Sequence, residues 1–187
     1  MDLDIRPLTP DRWEDFVTLF GPTGQQGGCW CMWNRQTSKQ FDECKGPVNR
    51  EAMRSIVESG EVTGLLGYVD GEPIGWVSVG PRKSFSRLQR SPVTKPFDDL
   101  AVWSVTCFVI APRHRNTGVA TALLDAAVAL ARDHGAPAIE GYPVEPRKDT
   151  MPAIYAWMGV ASMFEAAGFT EIARRSETRP LYRLDLG

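Results

Sequence analysis

The sequence predicts a single α/β domain (an α+β arrangement) built on a mixed sheet, and three observations support this prediction. Residues 105–110 form an apolar run with the composition of a buried strand. A basic loop containing Gly118 follows, and apolar residues then recur at helical spacing over residues 119–131. Apolar segments bounded by turn residues lie on both sides of this unit. We therefore expect a central sheet of about six to seven strands with helices on both faces.

The first part of the chain predicts one strand and two helices. Residues 2–8 form the strand, and the first helix ends at Gly21. A second helix is predicted over residues 51–59. The connection between the two helices, residues 21–46, is long and rich in glycine, cysteine and tryptophan. A connection of this length within a compact domain is usually functional or mobile.

A hairpin is predicted next. Residues 63–69 and 73–79 have strand composition, and Asp70-Gly71 between them is a strong two-residue turn signal. Strand alternation places three residues of the second strand on one face: Ile74, Trp76 and Ser78.

The second half of the chain predicts the rest of the sheet. The central strand extends over about residues 100–110, and a right-handed crossover places residues 138–142 parallel beside it. Residues 151–167 have a mostly helical pattern. Residues 169–175 and 179–186 are predicted as two closing strands.

Composition excludes several classes of protein. A length of 187 residues suits one domain spanning residues 1–187, and a net charge of −2 gives no general case for nucleic-acid binding. The acidic N-terminus lacks the pattern of a signal peptide, and no apolar run has the length of a membrane span. The four cysteines are few enough to predict reduced thiols. We expect a cytoplasmic protein without nucleic-acid or membrane partners.

The loop before the predicted helix has the properties of an anion site. The first turn of a helix has unpaired N–H groups and the positive end of the helix dipole. Gly118 removes a side chain where an anion would contact the backbone, and Ala120 keeps the next turn low. Arg113 and Arg115 add positive charge. A pyrophosphate suits this arrangement better than a single carboxylate.

Two motifs resemble one family. Arg115-Asn116-Thr117-Gly118-Val119-Ala120 resembles the Arg/Gln-x-x-Gly-x-Gly/Ala signature of the GNAT family of N-acetyltransferases, and Phe164-Glu165-Ala166-Ala167-Gly168-Phe169 resembles its Tyr-x-x-x-Gly-Phe ending. The resemblance covers about residues 63–186. It implies a single GNAT-like domain in which the central strand and residues 138–142 splay apart. It also implies acetyl-CoA as cosubstrate, no metal, and direct transfer to the primary amine of a small-molecule or peptide acceptor.

The resemblance also implies the residues that bind acetyl-CoA. Pantetheine is expected to pair with backbone groups of the central strand, one of which also serves the thioester oxygen: Phe108, Val109 and Ile110. The pyrophosphate is expected at the loop and first helical turn: Arg115, Asn116, Thr117, Gly118, Val119, Ala120 and Thr121.

Acid and base catalysts must be chosen among few residues. Glu140 is the candidate base because it is a lone carboxylate at the C-terminal end of a predicted parallel strand. The alternative is a structural ion pair or a solvated strand end. The family often has a tyrosine as general acid where this chain has Phe164, whose ring has no proton to donate. Tyr155 and Ser162 are seven residues apart and would share a face of one continuous helix, so either one, Tyr142 or a water could replace it. Ser162 is also counted with the residues that line the cofactor.

Two further segments have two interpretations each. In residues 21–46, Trp30, Met32 and Trp33 either form a lid over the acceptor or fill the core. In residues 81–96, the basic side chains either form a solvated surface or attract an anionic substrate or the 3′-phosphate of CoA.

The Cys-x-Cys pair invites two further hypotheses. Zinc requires four ligands, commonly in Cys-x-x-Cys pairs, whereas Cys29 and Cys31 are separated by one residue and Cys44 stands alone. We therefore expect no metal site. A redox or nucleophilic role for Cys29 or Cys31 would require a low thiol pKa.

The leading hypothesis is thus an acetyl-CoA-dependent N-acetyltransferase, monomeric or homodimeric. The alternative is a non-catalytic acyl-CoA-binding sensor or interaction module with the same fold, which the absence of the acidic tyrosine favours. The identity of the acceptor does not follow from the sequence.

Overall fold

The computed structural model describes residues 2–146 and 153–187, and a mixed sheet forms its centre. The described strands are β1 (Asp4–Pro7), β2 (Gly64–Val69), β3 (Glu72–Pro81), β4 (Trp103–Ile110), β5 (Ala138–Gly141), β6 (Thr170–Arg174) and β7 (Pro180–Asp185). The described α-helices are α1 (Trp13–Phe20), α2 (Ser38–Cys44), α3 (Pro47–Glu58), α4 (Ser86–Arg90), α5 (Val119–Asp133) and α6 (Ala161–Ala166). None of these helices is long and apolar enough to cross a membrane.

The sheet has the order β1-β2-β3-β4-β5-β7-β6. All neighbouring strands are antiparallel except β4 and β5, which are parallel and joined through α5. The parallel pairing runs only from Trp103 opposite Ile139 to Val105 opposite Gly141. β4 continues to Ile110 without a partner strand on that side, so a gap opens between the two strands. The predicted mixed sheet with a splayed parallel pair is confirmed.

Helices cover both faces of the sheet. The apolar stripe of α5 packs on one face, where Leu123, Leu124 and Ala127 are completely buried. On the other face, Phe16 and Phe20 of α1 bury the indole ring of Trp76 on β3. Burying these large side chains provides the main stabilisation of the domain.

The hairpin between β2 and β3 is confirmed, but one face assignment is wrong. Asp70 and Gly71 both have positive φ angles, 51° and 78°, as a tight two-residue turn requires. The register shifts between Gly67 and Tyr68, which leaves Ile74 as an extra residue on β3. Ile74 therefore packs with the α5-side core, on the opposite face to Trp76.

The predicted helix over residues 151–167 is interrupted. Ala153–Ala156 is a 3₁₀ helix, and α6 begins at Ala161. Between them Gly159 has a φ of +84°, and its carbonyl accepts a 2.9 Å hydrogen bond from the N–H of Val144. Tyr155 and Ser162 are therefore not on one continuous helix, and the argument that they share a face is wrong. Residues 147–152 lie outside the described part of the chain.

The connection over residues 21–46 contains a helix that the prediction missed. The N-terminus of α2 is closed by a capping box, in which the Thr37 hydroxyl accepts from the N–H of Gln40 and the Gln40 side chain accepts from the N–H of Thr37. This Thr-x-x-Gln spacing was a readable signal. α3 also begins earlier than predicted because Pro47 occupies the first turn.

Candidate active site

The gap between β4 and β5 exposes backbone groups of β4. Successive residues of a strand direct their N–H and C=O groups to opposite sides. The N–H of Ala111 donates to Ile74 on β3, and the carbonyl of Ile110 accepts from Arg115 Nε at 3.2 Å. Phe108 and Ile110 therefore face the gap, whereas the backbone groups of Val109 face β3. Of the three residues expected to pair with pantetheine, the alternation directs only the backbone groups of Phe108 and Ile110 toward the gap.

The N–H of Phe108 has a partner from the same chain. It donates a 2.6 Å hydrogen bond to the carbonyl oxygen of Trp157, which follows the 3₁₀ turn Ala153–Ala156. The Trp157 carbonyl thus lies where the sequence analysis expects the oxygen of a thioester. The sequence provides no signal for this contact because it joins two segments that are far apart in the chain.

The predicted phosphate loop has an open, basic form. Gly118 adopts a left-handed conformation with φ of 87° and precedes α5, whose first N–H groups have no partner within the helix. Asn116 is also left-handed, and the Thr117 hydroxyl donates to His114 O at 2.7 Å. Except for buried Val119 and half-buried Ala120, the predicted residues are exposed: Arg115, Asn116, Thr117, Gly118 and Thr121. This form suits an anion that approaches from solvent.

The two arginines of this loop differ. Arg113 forms an ion pair with Glu72, which begins β3. Arg115 is exposed and donates only to a backbone carbonyl among the described residues. Arg115 is therefore the loop cation that is available to an anionic ligand.

Glu140 is placed inside a network of arginines. Its side chain is 1% exposed, and its two oxygens lie 2.7 Å from nitrogens of Arg82 and Arg183. The Tyr142 hydroxyl donates to the same oxygen that binds Arg82, at 3.0 Å. A base needs a free oxygen within reach of the proton that it removes. The arrangement therefore favours the alternative interpretation, a structural ion pair.

The network continues around Tyr142 and Arg183. Arg183 also binds both oxygens of Asp98, at 2.7 and 2.9 Å, and these hydrogen bonds lower the pKa of Asp98. The Tyr142 hydroxyl lies 3.0 Å from Ser104 Oγ, and its burial, followed by the nearby Glu140 charge, raises its pKa. A tyrosine in this state holds its proton firmly, so Tyr142 is a poor acid for the reaction.

The basic segment over residues 81–96 is only partly solvated. Arg82 is buried in the Glu140 network, whereas Arg90 is exposed. The segment joins the end of β3 to the start of β4, and the phosphate loop follows the end of β4. The segment and the phosphate loop thus lie at opposite ends of β4, which argues against a role of the segment in binding the 3′-phosphate of CoA.

The side chains considered for the general acid, and Phe164 at the family's position, differ in their exposure to solvent. Phe164 is completely buried, and a Cβ atom on Gly141 would lie 2.0 Å from its ring. Tyr155 is 58% exposed, and Ser162 is exposed on α6. Tyr155 and Ser162 are thus accessible to solvent, and Tyr155 precedes by two residues the carbonyl that reaches the gap.

The tryptophan segment divides between core and gap. Trp30 and Met32 are buried with α1 and Trp76, as the core interpretation predicts. Trp33 is 39% exposed, and its ring lies 6.0 Å from the ring of Trp157. The next residue, buried Asn34, donates to the Thr106 carbonyl of β4 at 3.1 Å. Asn34 and Trp157 are therefore two residues of the site that sequence reasoning missed.

In the Cys-x-Cys pair, Cys31 is buried and Cys29 is half-buried. Cys31 accepts a 2.9 Å hydrogen bond from the Trp76 indole and lies 3.7 Å from the Cys107 sulfur. Burial raises the pKa of Cys29 to about 12 and raises the pKa of Cys31 as well. The low thiol pKa required of a nucleophile is thus contradicted. No group of three or more His, Cys, Asp or Glu side chains among the described residues could hold a metal ion.

Comparison with solved structures identifies the same architecture in known proteins. A GNAT-family acetyltransferase from Listeria monocytogenes is 14% identical with a TM-score of 0.59, over 98% of this chain and 95% of that chain. An N-acetyltransferase from Staphylococcus aureus is 12% identical with a TM-score of 0.57, over 100% of both chains. PaiA N-acetyltransferase from Thermoplasma acidophilum, solved in complex with coenzyme A, is 12% identical with a TM-score of 0.56, over 99% of both.

Sequence comparison decides the family. A search among curated proteins gives no significant match. The sequence model of the acetyltransferase (GNAT) family, however, matches residues 29–157, well over half of the chain. This match includes the gap, the phosphate loop and Trp157, and it agrees with the fold of the solved structures. The chain belongs to the GNAT family of acetyltransferases.

Proposed function

We propose that the protein transfers an acetyl group from acetyl-CoA directly to the primary amine of a small-molecule or peptide acceptor. One observation carries this proposal: the parallel pairing of β4 and β5 stops after Val105 and Gly141, and the N–H of Phe108 faces the gap that follows. The free N-terminus of α5 follows the same strand. The coenzyme A bound to the PaiA relative supports the choice of donor. Four free cysteines suit the reducing cytoplasm, where we place the reaction.

The chain offers separate groups to each part of acetyl-CoA. The first N–H groups of α5 and the Arg115 guanidinium bind the pyrophosphate, and Gly118 allows it to approach the backbone. The backbone groups of Ile110 pair with pantetheine after Arg115 releases the Ile110 carbonyl. The phosphate loop and Ile110 therefore orient the donor before the acceptor binds.

The N–H of Phe108 stabilises the charge that develops during transfer. A neutral amine attacks the thioester carbonyl carbon, the carbonyl oxygen becomes negative, and an oriented backbone donor lowers the barrier. This donor becomes available only when the Trp157 carbonyl moves away. Collapse of the intermediate breaks the carbon–sulfur bond and releases the CoA thiolate. Tyr155 or a water gives the thiolate a proton.

Removal of the proton from the amine is assigned to solvent rather than to Glu140. Arg82 and Arg183 occupy both Glu140 oxygens, and we assign the carboxylate to holding these two cations at the base of the gap. The residues around Trp33 and Asn34 form a wall on the acceptor side of the gap.

The alternative, a non-catalytic acyl-CoA-binding module, is favoured by one observation. Buried Phe164 replaces the family's acidic tyrosine and supplies no proton. Turnover of any amine rejects this alternative.

Thermal unfolding with and without acetyl-CoA tests the donor site, because a ligand that binds the folded state raises its stability. We expect acetyl-CoA to raise the unfolding temperature of the wild type and of Arg132→Ala, an exposed arginine near the far end of α5. The double variant Arg115→Ala, Gly118→Glu should lose this rise. Release of CoA thiol with a panel of amines, with the product identified by mass, then tests transfer. No rise in the wild type at millimolar acetyl-CoA rejects the proposal.

A further inference from the structure

Two arginines lie over two tryptophans beside the gap. The Arg87 guanidinium carbon is 4.2 Å from the Trp33 ring centroid, and that of Arg179 is 5.9 Å from the Trp157 ring centroid. The two indole rings are 6.0 Å apart and nearly perpendicular. Trp157 is also the residue whose carbonyl contacts the N–H of Phe108. These four side chains, which we call the Arg–Trp wall, therefore border the place where acetyl transfer is proposed.

Neither arginine of the Arg–Trp wall forms an ion pair with a carboxylate of the described residues. Within residues 2–146 and 153–187, no carboxylate lies within 4.0 Å of Arg87 or Arg179. Partial burial lowers the pKa of both guanidinium groups, and at Arg87 the negative charge of Asp42, beyond ion-pair distance, offsets part of this effect. The largely buried arginines Arg82 and Arg183, by contrast, both bind Glu140. An unpaired cation that has lost water is unfavourable unless an anion completes it.

The three nitrogens of the Arg87 guanidinium differ in their hydrogen bonds. Its Nε donates to the Trp33 carbonyl at 2.6 Å, and its Nη1 donates to Ser38 Oγ at 2.9 Å. Its Nη2 is buried and has no hydrogen-bond partner among the described residues. Two of its nitrogens thus fix the guanidinium against the Trp33 ring, and an acid that enters beside this ring would satisfy the third.

We propose that the Arg–Trp wall binds an acceptor amine that also carries an acidic group, a carboxylate or a phosphate, on an aromatic or flat apolar body. The guanidinium groups bind the acid, and the partly exposed Trp33 and Trp157 rings contact the body. This inference rests on the proposed function and names its class of substrate. It distinguishes the wall from Arg90, which is on the same short helix as Arg87 but exposed to solvent.

Binding of two product analogues tests the site without turnover. N-acetyltryptophan and N-acetyltryptamine differ only in the carboxylate, and calorimetric titration of the wild type should show about tenfold or more tighter binding of the acid. Arg179→Gln should remove most of this preference, Arg179→Lys should retain part of it, and Arg90→Gln should keep it. Unfolding temperatures verify that each variant is folded. Equal affinity for the two analogues, or no binding of either at millimolar concentration, overturns the inference.

Turnover separates this inference from the proposed function. The kcat/KM for tryptophan should exceed that for tryptamine, and the phosphate ester of tyramine compared with tyramine tests whether a phosphate serves as the acid. If tryptamine is acetylated as well as tryptophan, the inference fails and the function stands. If the acid is preferred in binding but no amine is acetylated, the function fails and the acidic site stands.

Discussion

The N–H of Phe108 on β4 donates a 2.6 Å hydrogen bond to the carbonyl oxygen of Trp157. This bond closes the gap between β4 and β5 with the protein's own backbone. A buried N–H group is costly when unpaired, so the bond satisfies the donor while no ligand is bound. The oxygen of a thioester can accept a hydrogen bond from the same N–H group. Under the proposed function we therefore expect acetyl-CoA binding to be coupled to the position of Trp157, which is also part of the Arg–Trp wall proposed to bind the acceptor.

Acetyl-CoA should displace the Trp157 carbonyl, whereas CoA should not, because only acetyl-CoA has a thioester oxygen. We expect acetyl-CoA to change the tryptophan emission of the wild type and CoA to change it much less. Trp157→Phe should lose the response. Trp103→Phe, which replaces an indole packed on His134, should retain the change in emission. An equal response to both ligands would contradict the exchange of one carbonyl for another.

Gly118 allows stability and ligand binding to be separated. Its φ of 87° is strained for any residue with a Cβ atom, although no atom lies within 4 Å of the Cβ position. Gly118→Ala and Gly118→Glu should each lower the free energy of unfolding by about 1 kcal/mol. Acetyl-CoA should stabilise the alanine variant less than the wild type, because the methyl group hinders approach of the pyrophosphate to the backbone. It should not stabilise the glutamate variant, whose charge also repels the pyrophosphate. Chemical unfolding with and without acetyl-CoA measures both effects, and unchanged stabilisation of Gly118→Glu would move the phosphate site elsewhere.

Glu140→Gln should act on stability more than on chemistry. Removing one partner of a buried ion pair costs about 3–5 kcal/mol, because buried Arg82 loses its carboxylate. Asp98→Asn is the matched control, since Asp98 binds Arg183 from a side chain that is 41% exposed, and it should cost about 1 kcal/mol or less. Both variants should keep most of the wild-type kcat at a temperature where they are folded. A large loss of kcat in folded Glu140→Gln would restore Glu140 as the base.

The half-buried Cys29 thiol should make stability depend on alkaline pH. Burial raises its pKa from 9.0 to about 12, so the unfolded chain loses this proton at a lower pH than the folded protein does. Its contribution to stability is thus complete below about pH 9 and falls as the pH rises toward 12. Cys29→Ala should show a smaller decline of unfolding free energy over this range than the wild type. Urea titrations at several pH values measure the unfolding free energy of both proteins. An equal decline with pH in the wild type and in Cys29→Ala would show that the thiol titrates normally.

Much of the fold could be predicted because its signals are local. The Asp70-Gly71 turn, the apolar stripe of α5 and the left-handed Gly118 each depend on a few neighbouring residues. Where local signals competed with distant contacts, the prediction failed. The helix predicted across Gly159 is interrupted, and Val160 instead forms a β-bridge with Val144, which belongs to another segment of the chain.

The sequence by itself determined the family, the parallel strand pair around the gap and the basic loop before α5. Only the tertiary structure decided which side chains complete the site. It pairs Glu140 with arginines from two distant segments, buries Trp30 while Trp33 stays at the gap, and brings Trp157 against Phe108. The physical reason is that periodicity records which face of an element is buried. The partner on that face depends on which distant segments cross there.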